Sequence, residues 1–139
     1  MNVDYAFLCD YAQGGVKLNA MGIGFENIVG KQLPVRHPHF CLVMQIRTST
    51  VEAGVKDMKV HLIDADGNDV IPVASGKINI PKAAAGTDSI GRVVMEFNNV
   101  QFPVYDTYSV RAVIEGIEMV NLAFKVVPPP KKKDNGQAA

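Results

Sequence analysis

The segment Arg36-His37-Pro38-His39-Phe40-Cys41 holds two of the chain's three histidines and one of its two cysteines. Imidazole nitrogen and thiolate sulfur are both good ligands for Zn²⁺ and related ions. On an extended strand, His37, His39 and Cys41 project from one face at intervals of about 6.5–7 Å. A His-x-His pair can chelate, with the cysteine as third ligand, and His37, His39 and Cys41 are therefore the candidate metal set. The same spacing works against closure by these three alone. The outer two lie about 13 Å apart along a straight strand. A further ligand must come from another element, and His61 is the candidate. The competing reading is architectural. Pro34 and Pro38 keep the chain extended, and the histidines face solvent where a strand begins.

Other chemistry-bearing stretches are weaker. Asp64-Ala65-Asp66-Gly67-Asn68-Asp69 looks like half of a calcium loop. Asp64, Asp66 and Asn68 fit the first three ligand positions. Gly67 comes two positions too early, and Ser75 stands where a bidentate Glu is needed. The simpler reading is a turn, with Asp66-Gly67 supplying the backbone geometry. Cys9 and Cys41 fall on strand faces that point to different sides, so no disulfide between them is expected, and Cys9 reads as a small buried hydrophobe. Spacing brings no His and acid onto a Cys or Ser nucleophile. Gly22, Gly24 and Gly30 do not make the dinucleotide pattern, and no helix follows them.

The elements that must position these residues are strands. Val3, Tyr5, Phe7, Cys9 and Tyr11 alternate with Asn2, Asp4, Ala6, Leu8 and Asp10, the period of a strand. Residues 16–30 change phase near Gly22, which fits a bulge or bend. Residues 39–49 read as a long strand with Phe40, Leu42, Met44 and Ile46 on one face. Residues 50–57 read as a loop and 58–73 as a hairpin turning at Asp66-Gly67. Shorter strand patterns follow at 76–81 and 92–102, with a loop at 82–91 between them. Residues 107–127 close the pattern as a hairpin turning at Glu115-Gly116. Regular turn signals and no helical period predict an all-β chain. The expected fold is an antiparallel β-sandwich, immunoglobulin-like, of about seven to nine strands, with a closed barrel as second choice.

Composition sets the outer limits. A chain of 139 residues fits one domain, expected over residues 1–127, with a flexible Pro/Lys-rich tail over 128–139. It is 47% hydrophobic and 20% charged, as globular proteins are. Lys plus Arg balances Asp plus Glu at 14 each, so net charge does not steer the chain to nucleic acid or an anionic membrane. The Lys131–Lys133 run reads as a solvated tail. No apolar run approaches the ~20 residues of a membrane span. The N-terminus lacks a basic, uninterrupted leader. Two cysteines without a secretion signal point to a reducing, cytoplasmic location.

The stretch NVDYAFLCDYAQ (2–13), the segment GVKLNAMGIGFENI (15–28) and the spacing of Pro34, His37, Phe40, Leu42 and Val43 resemble a family of small bacterial β-proteins of unknown function. VHLIDADGNDV and YSVRAVIEGIEMVNLAFKV are similar to it in style. The resemblance covers most of residues 2–127. It implies the sandwich and no activity or site residues.

The expected function is a non-catalytic β-sandwich interaction module, not an enzyme, without a cofactor, that binds a protein partner or itself. The side chains expected to meet a partner are Ala6, Leu8, Cys41 and Val43, which a two-layer monomer would leave partly exposed. The alternative is a metal-binding protein using His37, His39 and Cys41.

Overall fold

Backbone pairing sorts the chain into sheets. The computed structural model describes residues 1–131, which hold ten strands and one short 3-10 turn (Thr50–Glu52). β1 (Asn2–Cys9), β5 (Val35–Thr48) and β8 (Ser89–Phe102) form one antiparallel sheet in the order β1-β5-β8. β4 (Asn27–Val29), β10 (Ile117–Val127), β9 (Thr107–Ile114), β6 (Gly54–Ile63) and β7 (Ala74–Ile80) form a second, in that order. Only the short β4 pairs in parallel, with β10. β2 (Tyr11–Gln13) and β3 (Asn19–Met21) make a small separate hairpin. The chain is all-β, as its periodicity predicts. Ten strands exceed the seven to nine expected, and the surplus lies in the three-residue strands β2, β3 and β4. No helix among the described residues is long and apolar enough to cross a membrane.

The two larger sheets enclose the main core. Phe40, Leu42, Met44 and Ile46 of β5 are all buried, as are Leu62, Val110, Ile114 and Phe124 from the facing sheet. Each such side chain contributes about 1.5–3 kcal/mol by leaving water. Phe40 stacks on Phe97 at 4.6 Å and meets Phe25 and Phe124 edge-on. Gly91 is required for the closure. A Cβ there would sit 2.8 Å from Ile80 Cγ1, so only glycine lets β8 approach β7 of the other sheet so closely. Tyr108, early in β9, is fully buried yet satisfied. Its hydroxyl donates to Val104 O (2.7 Å) and accepts from Val104 N (3.3 Å). Sandwiches often pin a loop with such a tyrosine corner.

Two turns show where sequence pattern and structure agree and where they part. The Glu115-Gly116 turn joins β9 to β10 as expected, with both residues at positive φ (48° and 79°). The Asp66-Gly67 turn also forms. Asp64 Oδ1 accepts from the backbone N–H groups of Asp66 and Asn68 (3.0 and 2.9 Å), and Gly67 lies at φ 86°. This turn does not close the expected 58–73 hairpin. Beyond the single bridge Ile63–Asp69, the chain continues as a loop through Pro72, and β6 finds its hairpin partner in β7. Pro72 lacks the N–H a returning strand would need. β6 itself begins at Gly54, inside the stretch read as a loop.

A deviation from regular pairing corrects the assignment of faces on β1. A register shift between Val3 and Tyr5 turns Val3 inward with Ala6 and Leu8 and leaves Tyr5, Phe7 and Cys9 on the outer face. A bulge does this because side chains alternate with period two, so one irregular residue reverses every later one. Cys9 and Cys41 are consequently direct cross-strand partners on one side of the sheet, not on different sides as expected. Both are free thiols.

The expected partner surface is corrected as well. Leu8 is 4% exposed and sealed by the second sheet, while Cys41 and Val43 are fully buried on the outer face. What covers them is the chain itself: Ala12, Leu18 and Ala20 of the 11–23 segment pack on Cys9, Cys41 and Val43 to form a second, small cluster. Pro128–Lys131 are exposed and irregular, and the remainder of the expected tail, 132–139, lies outside the described residues.

Candidate functional site

The outer face of the three-stranded sheet runs in rows across β1, β5 and β8. Tyr5, Gln45 and Arg92 make a polar row; Phe7, Val43 and Val94 an apolar one; Cys9, Cys41 and Glu96 the next; and His39 and Asn98 the last. At the polar end, Asp4 accepts from Gln45 (2.8 Å) and pairs with Arg47 (2.9 Å). The Arg47 and Gln45 hydrogen bonds hold the Asp4 carboxyl below its usual range. Arg92 reaches over to Gln45 and to Gly15 O, tying the 11–23 segment to the sheet.

At the other end, donor atoms of three kinds converge. His39 Nε2 lies 3.5 Å from Cys41 Sγ and 3.9 Å from Glu96 Oε1, and one ligand atom from each residue lies within 4.8 Å of the other two. His39 Nδ1 is 2.8 Å from Asn98 Oδ1. An amide oxygen only accepts, so Nδ1 carries the proton and Nε2 presents its lone pair toward the Cys41 thiol. Tyr11 lies on the His39 ring at 4.9 Å and 23°. Cys41 is buried, His39 half-buried, and Glu96 open to solvent.

Both thiols are held in the neutral form. Burial, with help from Cys41 and Asp10, pushes Cys9 up to about 11. Burial likewise pushes Cys41 up, against the pull of the Ala12 backbone hydrogen bond. The Cys9 thiol donates to Tyr11 O at 3.5 Å and stands outside the His39 group. A neutral, buried thiol is a poor nucleophile.

Of the residues singled out from sequence, the fold brings His39 and Cys41 together and leaves His37 apart. His37 packs against Phe25 and Phe40 at 6.3 and 5.8 Å, and its strand partner Val100 belongs to the main core. The expected single row of three ligands is broken at Pro38 and its cross-strand position, Asn99, which has φ 51°. Inward residues are Val35, Phe40 and Leu42 on β5, and Phe97, Val100 and Phe102 on β8. Phe97 to Val100 is a three-residue step and Val35 to Phe40 a five-residue one, where an even strand would step by two or four. His37 thus turns from the face that His39 shares with Cys41. Its Nε2 is buried without a hydrogen-bond partner among the described residues, and burial lowers its pKa.

His61 also stands apart. Its neighbours Val60 and Leu62 are core residues, so it faces out of the five-stranded sheet, on the opposite side of the sandwich. There it pairs with Asp69 at 3.1 Å. Glu96, Asn98 and Tyr11 were missed from sequence. Their only signals were the polar run Glu96-Phe97-Asn98-Asn99 inside a strand and an aromatic two residues beyond Cys9.

No curated protein matches the chain. Among solved structures, the Pseudomonas fluorescens alkylpurine DNA glycosylase AlkC, bound to DNA containing an abasic site analog, is similar over 72% of this chain at 13% identity, with a TM-score of 0.37. That match spans 27% of the glycosylase chain, and its score is too low to mark a common fold. A family model covers residues 4–127, and the chain belongs to that family, DUF6941, a family of unknown function.

Proposed function

We propose that the chain is a non-catalytic interaction module whose ligand is a protein, a second copy of itself included, and that the 11–23 segment is the contact. The supporting observation is the outward face of that segment. Tyr11 and Met21 are cross-strand partners, 60% and 71% exposed, with Ile23 (58%) two residues beyond Met21 and Val16 (fully exposed) in the loop that joins the two strands. Single exposed apolar side chains are ordinary. Directly paired ones form a contiguous patch, since opposed residues on two strands have Cβ atoms about 5 Å apart. Burying Met21 and Ile23 gains about 1.5–3 kcal/mol apiece, of the order an anchor residue supplies.

The test is a charge placed on the patch. Met21→Lys/Ile23→Lys leaves both cores intact. The wild-type chain is expected to show a mass above the monomer in light scattering at micromolar concentration, or to retain a protein from its native cell extract. The double variant is expected to lose that behaviour. A wild-type monomer that captures the same proteins as the variant would refute the proposal.

A further inference from the structure

We infer that His39, Cys41 and Glu96 form a binding site for a divalent transition metal of the zinc class, with Asn98 as the residue that orients His39. The separations fit the ion. Zn–S bonds of about 2.3 Å and Zn–N bonds of about 2.05 Å, at a tetrahedral angle, put sulfur and nitrogen about 3.6 Å apart. Cys41 Sγ and His39 Nε2 are 3.5 Å apart. The Glu96 oxygen, 3.9 Å from Nε2 and within 4.8 Å of Sγ, must close by about half an ångström on the nitrogen and by up to about 1.2 Å on the sulfur to reach the same geometry. Glu96 is exposed and free to make that rotation, whereas Cys41 and His39 are fixed by the strand they share.

The surroundings have the form of a ligand shell. Metal-bound histidines donate their other ring N–H to an oxygen acceptor, which sets the tautomer and the ring plane. Here Asn98 Oδ1 accepts from His39 Nδ1–H at 2.8 Å. Tyr11, stacked on the imidazole, covers one flank. The objection raised by a straight row of ligands does not apply here. Glu96 comes from β8 and sits beside Cys41 in register, so the three donors surround a point instead of lining a strand. Nitrogen, sulfur and one carboxylate oxygen select a zinc-class ion over Ca²⁺ or Mg²⁺, which take oxygen ligands. Three protein ligands leave one tetrahedral position for water or an incoming group. Binding replaces the Cys41 thiol proton with the metal, so one proton is released for each ion bound.

Co²⁺ added to the untagged full chain, reduced with a phosphine, is the probe. The expected result is one ion per chain with a thiolate-to-cobalt charge-transfer band and the d–d bands of tetrahedral coordination, both displaced by Zn²⁺. Cys41→Ser should abolish the charge-transfer band. Because Cys41 is buried, the decisive variants are Glu96→Gln and Asn98→Ala at exposed positions. Each should weaken binding about 10- to 100-fold with an unchanged far-UV spectrum. His37→Gln should leave the affinity within about twofold, since His37 lies outside the cluster. A folded wild-type chain without the band, or a band and affinity unaltered by Glu96→Gln and Asn98→Ala, would overturn the inference.

Discussion

The space between the sheets and the patch beneath the 11–23 segment are both apolar, but they are built differently. The first is lined from both sides by long strands and filled with Phe40, Phe102, Tyr108 and branched aliphatics. The second is lined on one side by a sheet and on the other by a hairpin of two three-residue strands, with Cys9, Cys41 and Val43 as its buried members. Polar chemistry divides accordingly. Tyr108 Oη, in the main core, is occupied by one backbone loop. Cys41, in the small cluster, abuts His39 and Glu96 at its margin. A thin layer over a sheet can hold a dry sulfur within reach of water-accessible ligands. A deep core cannot.

Mutations can break that contrast or sharpen it. Phe40→Ala empties the centre of the main core and should cost about 3–5 kcal/mol. Much of a typical domain's stability would be lost, to be read from urea unfolding. Val43→Ala removes two methyl groups from the small cluster and should cost about 2 kcal/mol. Equal losses from the two would mean that the covering segment packs as firmly as the second sheet, and the contrast would fail. Tyr108→Phe should cost about 1–2 kcal/mol, because the backbone groups of Val104 lose a buried partner while the ring packing stays. A loss well under that would mean the loop rehydrates.

A further effect is one of pH. The Cys9 pKa is raised from 9.0 to about 11 in the folded chain. Between those values the native state keeps a proton that the unfolded state releases. The contribution is therefore complete below about pH 9 and is lost as pH rises through about 11. Wild type should lose stability more steeply than Cys9→Ala across that window. Parallel curves would place the thiol in a wetter setting than its burial implies.

Much of the fold was legible because period two is written locally. The run from Phe40 to Ile46 and the Glu115-Gly116 turn needed no partner to be recognised. The faces were not legible. The shift between Val3 and Tyr5 is a property of pairing with β5, and it moved Cys9 to the side of Cys41. The reversal at Pro38 requires Asn99 opposite it, so neither strand announces it alone. A proline inside a strand pattern and an Asn-Asn pair, asparagine being tolerant of positive φ, were the available clues. The same limit governed the site. His39 and Cys41 are neighbours in sequence, whereas Glu96 and Asn98 join them only through the β5–β8 register.

β8 has one more consequence, which concerns the chain in a crowd. At fourteen residues it is one of the two longest strands, yet it lies at the margin of its sheet and pairs with β5 alone. A margin of that length offers backbone donors and acceptors to any extended chain that drifts alongside, the first step toward aggregation. Three features of β8 counter this: the cation of Arg92, the anion of Glu96, and the left-handed turn of backbone at Asn99, which interrupts the regular spacing an added strand would need. Glu96 would then serve twice, as a donor to an ion on the outer face and as a guard along the sheet's open margin.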